Sequence, residues 1–97
     1  MNKQEIINKL LEIQQLRENW NGYDAKPIPI EVITKALFLI EQLNPLPNFI
    51  SPTGRESVQL EWEKDSCLYL EMEIFENKIE IFNMFSDDNE DICIGDK

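Results

Sequence analysis

No histidine occurs in the 97 residues. That absence removes the commonest general base, the commonest transition-metal ligand and every Ser-His or Cys-His nucleophile pair. Cysteine is nearly absent too: Cys67 and Cys93 stand in different stretches with no CxxC spacing and no further partners, which excludes a four-ligand zinc site. Two free thiols are expected, because a disulfide needs an oxidising compartment. Basic residues are scarce, nine Lys/Arg against 19 Asp/Glu for a net charge of −10. Phosphate binding needs clustered Lys and Arg, so direct nucleic-acid binding is disfavoured. No stretch approaches the ~18 apolar residues of a membrane span. The opening Met1-Asn-Lys-Gln-Glu lacks the basic and apolar regions of a signal peptide, so a cytoplasmic protein with no membrane contact is expected.

The charge that is present is concentrated and patterned. Residues 46–97 hold 13 Asp/Glu against four Lys/Arg, whereas residues 1–45 hold six against five. Between Val58 and Ile81 acidic residues alternate with apolar ones: Val58, Leu60 and Trp62 with Glu61 and Glu63, then Leu68, Leu70, Met72 and Ile74 with Glu71 and Glu73. A period of two puts one set on each face of a sheet. The apolar set becomes a core, and the glutamates become one anionic surface.

Residues 4–18 read as an amphipathic helix, with Ile6, Ile7, Leu10, Leu11, Ile13 and Leu16 at helical spacing. Asn21-Gly22 then favours a turn, and Pro27-Ile28-Pro29 forces an extended run. A second, more buried helix is predicted over residues 30–43, closed by Asn44-Pro45-Leu46-Pro47. From there the period is that of strands at 48–51, 57–63, 67–75 and 78–84, an antiparallel meander. Residues that share a face must pair, so Trp62 should oppose Leu68 or Leu70 across an odd loop such as Lys64-Asp65-Ser66. By the same rule Ile74 should oppose Ile81, with Asn77-Lys78 as the turn and Glu76 opposite Ile79. The outer face then contains Gln59, Glu61, Glu63, Tyr69, Glu71, Glu73, Phe75, Glu80 and Phe82. The predicted fold is a single α+β domain over residues 1–85, with two N-terminal helices packed on one face of a four-stranded antiparallel sheet (ααββββ). Residues 86–97 form an acidic tail in which 92–94 could add a short edge strand.

Neighbouring carboxylates on an exposed sheet repel by a few tenths of a kcal/mol per pair. Such a face is either a solubilising surface or an interface for something basic. Tyr69, Phe75 and Phe82 share it by parity, as anchors ringed by charge or as cover for the sheet beneath the tail. Paired-carboxylate catalysis needs a pocket that drives two pKa values apart, and an open strand face offers none, so an enzyme is not expected. No cofactor or metal is expected either. Asp87, Asn89 and Asp91 imitate the start of a calcium loop, but Ile92 stands where its glycine belongs and the twelfth-position glutamate is missing. Trp20 and Tyr23, in the string Trp20-Asn21-Gly22-Tyr23-Asp24-Ala25-Lys26-Pro27-Ile28, either cap the core or contact a partner.

Trp20-Asn21-Gly22 with Ala25, Pro27 and Ile28, then Ser51-Pro52-Thr53-Gly54, Leu60-Glu61-Trp62 and Leu70-Glu71-Met72-Glu73-Ile74, resembles a group of small acidic bacterial proteins. Their pattern runs roughly WDGxGAxPI, a helix, PTxxGxxxLEW and LEIEI. The resemblance covers about residues 16–75 and implies the same helix-helix-sheet layout without any catalytic residue. It departs at Asn21, at Tyr23-Asp24 and at Pro29, where a Ser or Thr cap belongs. The expected function is that of a non-enzymatic protein that neutralises a basic protein partner, as an antitoxin, immunity protein or inhibitor does. Glu61, Glu63, Glu71, Glu73 and Glu80 supply the charge, and Tyr69 and Phe82 the anchors. Two alternatives stand beside it: a nucleic-acid mimic that fills the groove of a nucleic-acid-handling enzyme, such as a phage or mobile-element anti-defence protein, and a homodimeric assembly protein.

Overall fold

The change of hydrophobic period near residue 46 separates two layers in a computed structural model of the chain, which describes residues 1–64 and 67–83. Helices α1 (Lys3–Gln14) and α2 (Ile30–Ile40) come first, followed by strands β1 (Phe49–Pro52), β2 (Val58–Lys64), β3 (Cys67–Ile74) and β4 (Ile79–Asn83). The strands form one antiparallel sheet in the order β1-β2-β3-β4. The ααββββ arrangement predicted from the sequence is the observed one. The tail 86–97, with the expected strand at 92–94, lies outside the described residues, as does Cys93.

α1 starts where a capping box can form. The Asn2 side chain accepts from the Glu5 amide at 2.8 Å while the Glu5 carboxylate accepts from the Asn2 amide at 2.8 Å, which satisfies two donors at the helix start. The helix stops at Gln14, four residues short of the predicted end. Leu16 keeps its packing against the core through a tighter turn, its amide bonding the Ile13 carbonyl at 3.1 Å. Apolar spacing therefore outlasted the helix itself. α2 begins after Pro29 with no side-chain cap; the Pro29 carbonyl accepts from Val32 and Ile33, and Glu31 lies in the first turn, where the helix dipole favours an acid. It too ends early, at Ile40, with Leu43 partly buried beyond it.

The connector between the helices is shaped by asparagine side chains. Asn19 Oδ1 accepts from the Asp24 amide at 2.7 Å, and Asn21 Oδ1 accepts from Tyr23 and Ala25 at 2.8 and 3.2 Å. Gly22 has φ of 80°, and a Cβ built there would meet nothing within 4 Å. Steric space is not the issue, so Gly22→Ala isolates the backbone cost of left-handed geometry: a loss of about 1 kcal/mol in urea denaturation is expected, and an unchanged midpoint would refute it.

Ile6, Leu10 and Ile13 of α1 and Val32, Ile33, Ala36 and Ile40 of α2 pack on Ile50, Val58, Leu60, Trp62, Met72 and Ile74 of the sheet. Apart from Leu68, whose side chain lies outside the described residues, the apolar set of the alternation is thus the core face. Trp62 opposes Leu70 as the parity argument requires, but by a different route. Lys64 pairs with Cys67, so only residues 65 and 66 lie between the strands, and the register shifts between Trp62 and Glu63. Tyr69 is left without an opposite number on β2, and this bulge, rather than an odd loop, restores the parity. The β3–β4 hairpin also differs, by two residues in register. Ile74 opposes Ile79 and Met72 opposes Ile81, because Phe75 and Lys78 close a turn of Glu76-Asn77; the faces are unchanged. α1 packs on β1, and α2 on β2 and β3, while neither helix reaches β4.

Candidate functional site: the outer face of the sheet

Register places the outer-face side chains in rows that run across the strands. One row joins Phe49 of β1, Glu61 of β2, Glu71 of β3 and Phe82 of β4. The next joins Ser51, Gln59, Glu73 and Glu80. The two rows have different chemistry.

In the first row two carboxylates face each other between two exposed rings, Phe49 being 50% and Phe82 53% exposed. Gln59 Nε2 donates to Glu61 at 2.8 Å and to Glu71 at 3.0 Å, so a neutral amide holds the two acids side by side. Among the described residues neither acid forms an ion pair. Glu71 is pushed above its ordinary pKa, chiefly by burial, then by the charge of Glu61 and a hydrogen bond with it, and last by the charge of Glu73. A cation placed between Glu61 and Glu71 would offset the repulsion between these two acids.

Glu73 of the second row corrects the sequence reading. Its side chain was expected to project into solvent with the other glutamates, yet the residue is only 3% exposed. The β1–β2 turn folds over that end of the face, with Thr53 bonding Ser57 through both backbone (3.0 Å) and side chain (2.5 Å), and Glu56 held at φ of 60°. Fully buried Ser57 and the guanidinium of Arg55 both donate to the Glu73 carboxylate, with Thr53 Oγ1 at 3.5 Å. Glu73 therefore anchors a turn. Glu80, partly exposed, pairs with Lys78 at 2.9 Å. Glu63 sits past the register shift, half-buried and out of line with Glu61, its amide bonded to Asn48. The backbone of Tyr69 lies in β3, but its side chain is outside what the structure describes, as is that of Cys67.

Phe75, also placed on the outer face by parity, is half-buried beneath two cations, with Arg55 at 5.7 Å and Lys78 at 4.8 Å from its centroid. These residues, with Pro29, Glu56, Glu76 and Asn77, line a pocket of about 280 Å³. Its two cations and two lining acids balance, and both cations already pair with Glu73 and Glu80, so it offers no uncompensated charge to a ligand. Trp20 and Tyr23 separate: Trp20 packs against the core and donates from Nε1 to the Lys26 carbonyl at 2.9 Å, whereas Tyr23 is 86% exposed. The strings around Trp20 and Thr53 meet in space, for a Cβ on Gly54 would lie 3.5 Å from the Asn21 amide nitrogen.

Sequence reasoning passed over Phe49. The signal was present, since alternation about buried Ile50 puts Phe49 and Ser51 on the outer face. Among the described residues no three acidic or cysteine side chains converge as metal ligands, and no helix is long and apolar enough to cross a membrane. Comparison with protein-family models, curated proteins and solved structures returned no match.

Proposed function

We propose that the chain is a non-enzymatic binding protein that neutralises a basic protein partner through the row of Phe49, Glu61, Glu71 and Phe82. The observation that carries this reading is the contrast between the acids. Glu73 and Glu80 have cations of their own, whereas Glu61 and Glu71 face each other with an amide between them and, among the described residues, no cation. Like charges held together cost free energy that an incoming Lys or Arg returns as charge-assisted hydrogen bonds. The flanking rings supply apolar area at either end of the row, where aromatic anchors beside charge give an interface its affinity. Steering by the net charge of −10 acts in the same direction. Antitoxins, immunity proteins and enzyme inhibitors share this logic.

The test is capture from the lysate of the protein's own source at low and high salt, with the parent and the Phe49→Ala, Phe82→Ala protein as baits. A basic protein is expected on the parent at low salt, lost at high salt and reduced at least tenfold on the variant. Equal retention by both baits would show that the row is not the site. Adding a duplex oligonucleotide separates the two forms of the reading. Competition would identify a nucleic-acid groove as the captured surface, and its absence a partner bound through some other basic patch.

A further inference from the structure

The helical layer covers β1, β2 and β3 and leaves β4 overhanging, so among the described residues the inner face of β4 has no layer above it. Ile79 and Ile81, which parity places on the core side, are 39% and 60% exposed as a result. β4 is also an edge strand among the described residues. Natural edges are guarded by proline, by charge within the strand or by bulges; Ile79-Glu80-Ile81-Phe82-Asn83 has no proline and no bulge, and its one charge, Glu80, is paired with Lys78. An apolar, unguarded edge with an uncovered face is a template for another strand.

We propose that β4 pairs antiparallel with β4 of a second copy of this chain, about a two-fold axis at Ile81. Strand length and hydrogen-bond parity together set that register: parity puts the axis on a residue, and only an axis at Ile81, the centre of β4, pairs all five residues of the strand. Phe75 and Lys78 form a hydrogen-bonded pair at the hairpin turn, the Phe75 amide donating to the Lys78 carbonyl at 2.8 Å. Alternation then turns the backbone groups of Glu80 and Phe82 toward β3 and those of Ile79, Ile81 and Asn83 outward. Centring the axis on Ile81 matches outward groups with outward groups throughout: Ile81 meets Ile81 of the second copy, and Ile79 meets Asn83 of the second copy.

Charge excludes the adjacent axis at Glu80 and favours the same occupant. With the axis at Ile81, Glu80 opposes Phe82 of the second copy; with the axis at Glu80, two carboxylates would stand face to face. Lys78 neutralises Glu80 within the chain, so this edge is locally neutral on a protein of net charge −10. A neutral apolar edge does not call for the basic partner that the acidic row requires. It is complementary to itself, the condition for a two-fold contact. The outer faces of the two copies then join in one sheet, and the two acidic rows face the same side.

Light scattering on the full chain up to about 1 mM is expected to give a mass rising toward twice 11.4 kDa, and Ile81→Lys is expected to hold the mass at the monomer value with an unchanged far-ultraviolet spectrum. A second measurement does not depend on how Ile81→Lys folds. In a background of Cys67→Ser and Cys93→Ser, Ile81→Cys places two thiols on residues about 5.5 Å apart between Cα atoms. Ile79→Cys places them four strand residues apart, roughly 13 Å. A thiol crosslinker shorter than that distance is expected to join Ile81→Cys chains and spare Ile79→Cys chains. A monomeric mass at every concentration overturns the proposal, whether the edge is filled from within the chain or by a different protein. So does a dimer that crosslinks at position 79 and not at 81. Neither result touches the proposed role of the acidic row, which is read by partner capture.

Discussion

Glu61→Gln combined with Glu71→Gln is expected to weaken partner binding by about a hundredfold or more while making the free protein slightly more stable. Removing a carboxylate from a hydrogen-bonded pair across an interface costs about 2–5 kcal/mol, and two are removed here. In the free protein the same change relieves a like-charge contact worth about 0.5 kcal/mol. The pH dependence gives the sign. Glu71 is raised in the folded state, by burial first and then by Glu61 and Glu73. Below the ordinary carboxylate pKa, folded and unfolded chains both hold the proton and the repulsion is absent; above the raised folded value it acts in full. The gain from Glu71→Gln should therefore be present at neutral pH, fade as pH falls through the raised folded value, and be gone below the ordinary carboxylate range. Calorimetric titration with the partner and thermal melts across pH check the two halves. A variant that binds normally, or melts lower at pH 7, would refute the role given to this pair.

Glu73→Ala should do the opposite, costing about 2–4 kcal/mol of stability. The substitution removes the acceptor of fully buried Ser57 and of Arg55. Charged hydrogen bonds are worth about 1.5–3 kcal/mol, and a buried hydroxyl left unpaired adds to the loss. The guanidinium is two-thirds exposed, so its Coulomb share is small. Glu73→Gln should accordingly cost only about 1 kcal/mol, since an amide oxygen can still accept from Ser57. Against a typical domain stability of 5–15 kcal/mol, the alanine change is large. Urea denaturation of both proteins decides it, and equal midpoints for Glu73→Ala and the parent would show that the turn holds itself. A charge-neutralisation series on the outer face should leave Glu73 intact, or lost folding will be mistaken for lost binding.

The alternation made the sheet legible. Val58, Leu60 and Trp62 on β2, and Met72 and Ile74 on β3, are buried because within each strand they recur every second residue, and that period decides which face a side chain takes. Helix ends were less legible. Leu16 and Leu43 continue the apolar pattern into turns that still touch the core, so hydrophobic spacing marks contact rather than helix. The burial of Glu73 could not be read locally at all, because it is imposed by a turn 16 to 20 residues earlier folding across the face. Phe49 and Phe82 end the same row because of strand order, which a meander makes easy to anticipate once β1 is assigned a face. The bulge at Tyr69 had no composition signal, and only the register reveals it.

The row of Phe49, Glu61, Glu71 and Phe82 takes one side chain from each strand, at positions ten to twelve residues apart in sequence. A peptide cut from this chain cannot display more than one or two of its members, and an unfolded chain holds none of them in register. A partner that reads the row binds the native state alone, and by mass action it stabilises that state by about 2.7 kcal/mol when present at a hundred times its dissociation constant. Under the proposed function, occupancy and survival of the protein are then linked: a complexed chain would resist unfolding and proteolysis longer than an unclaimed one.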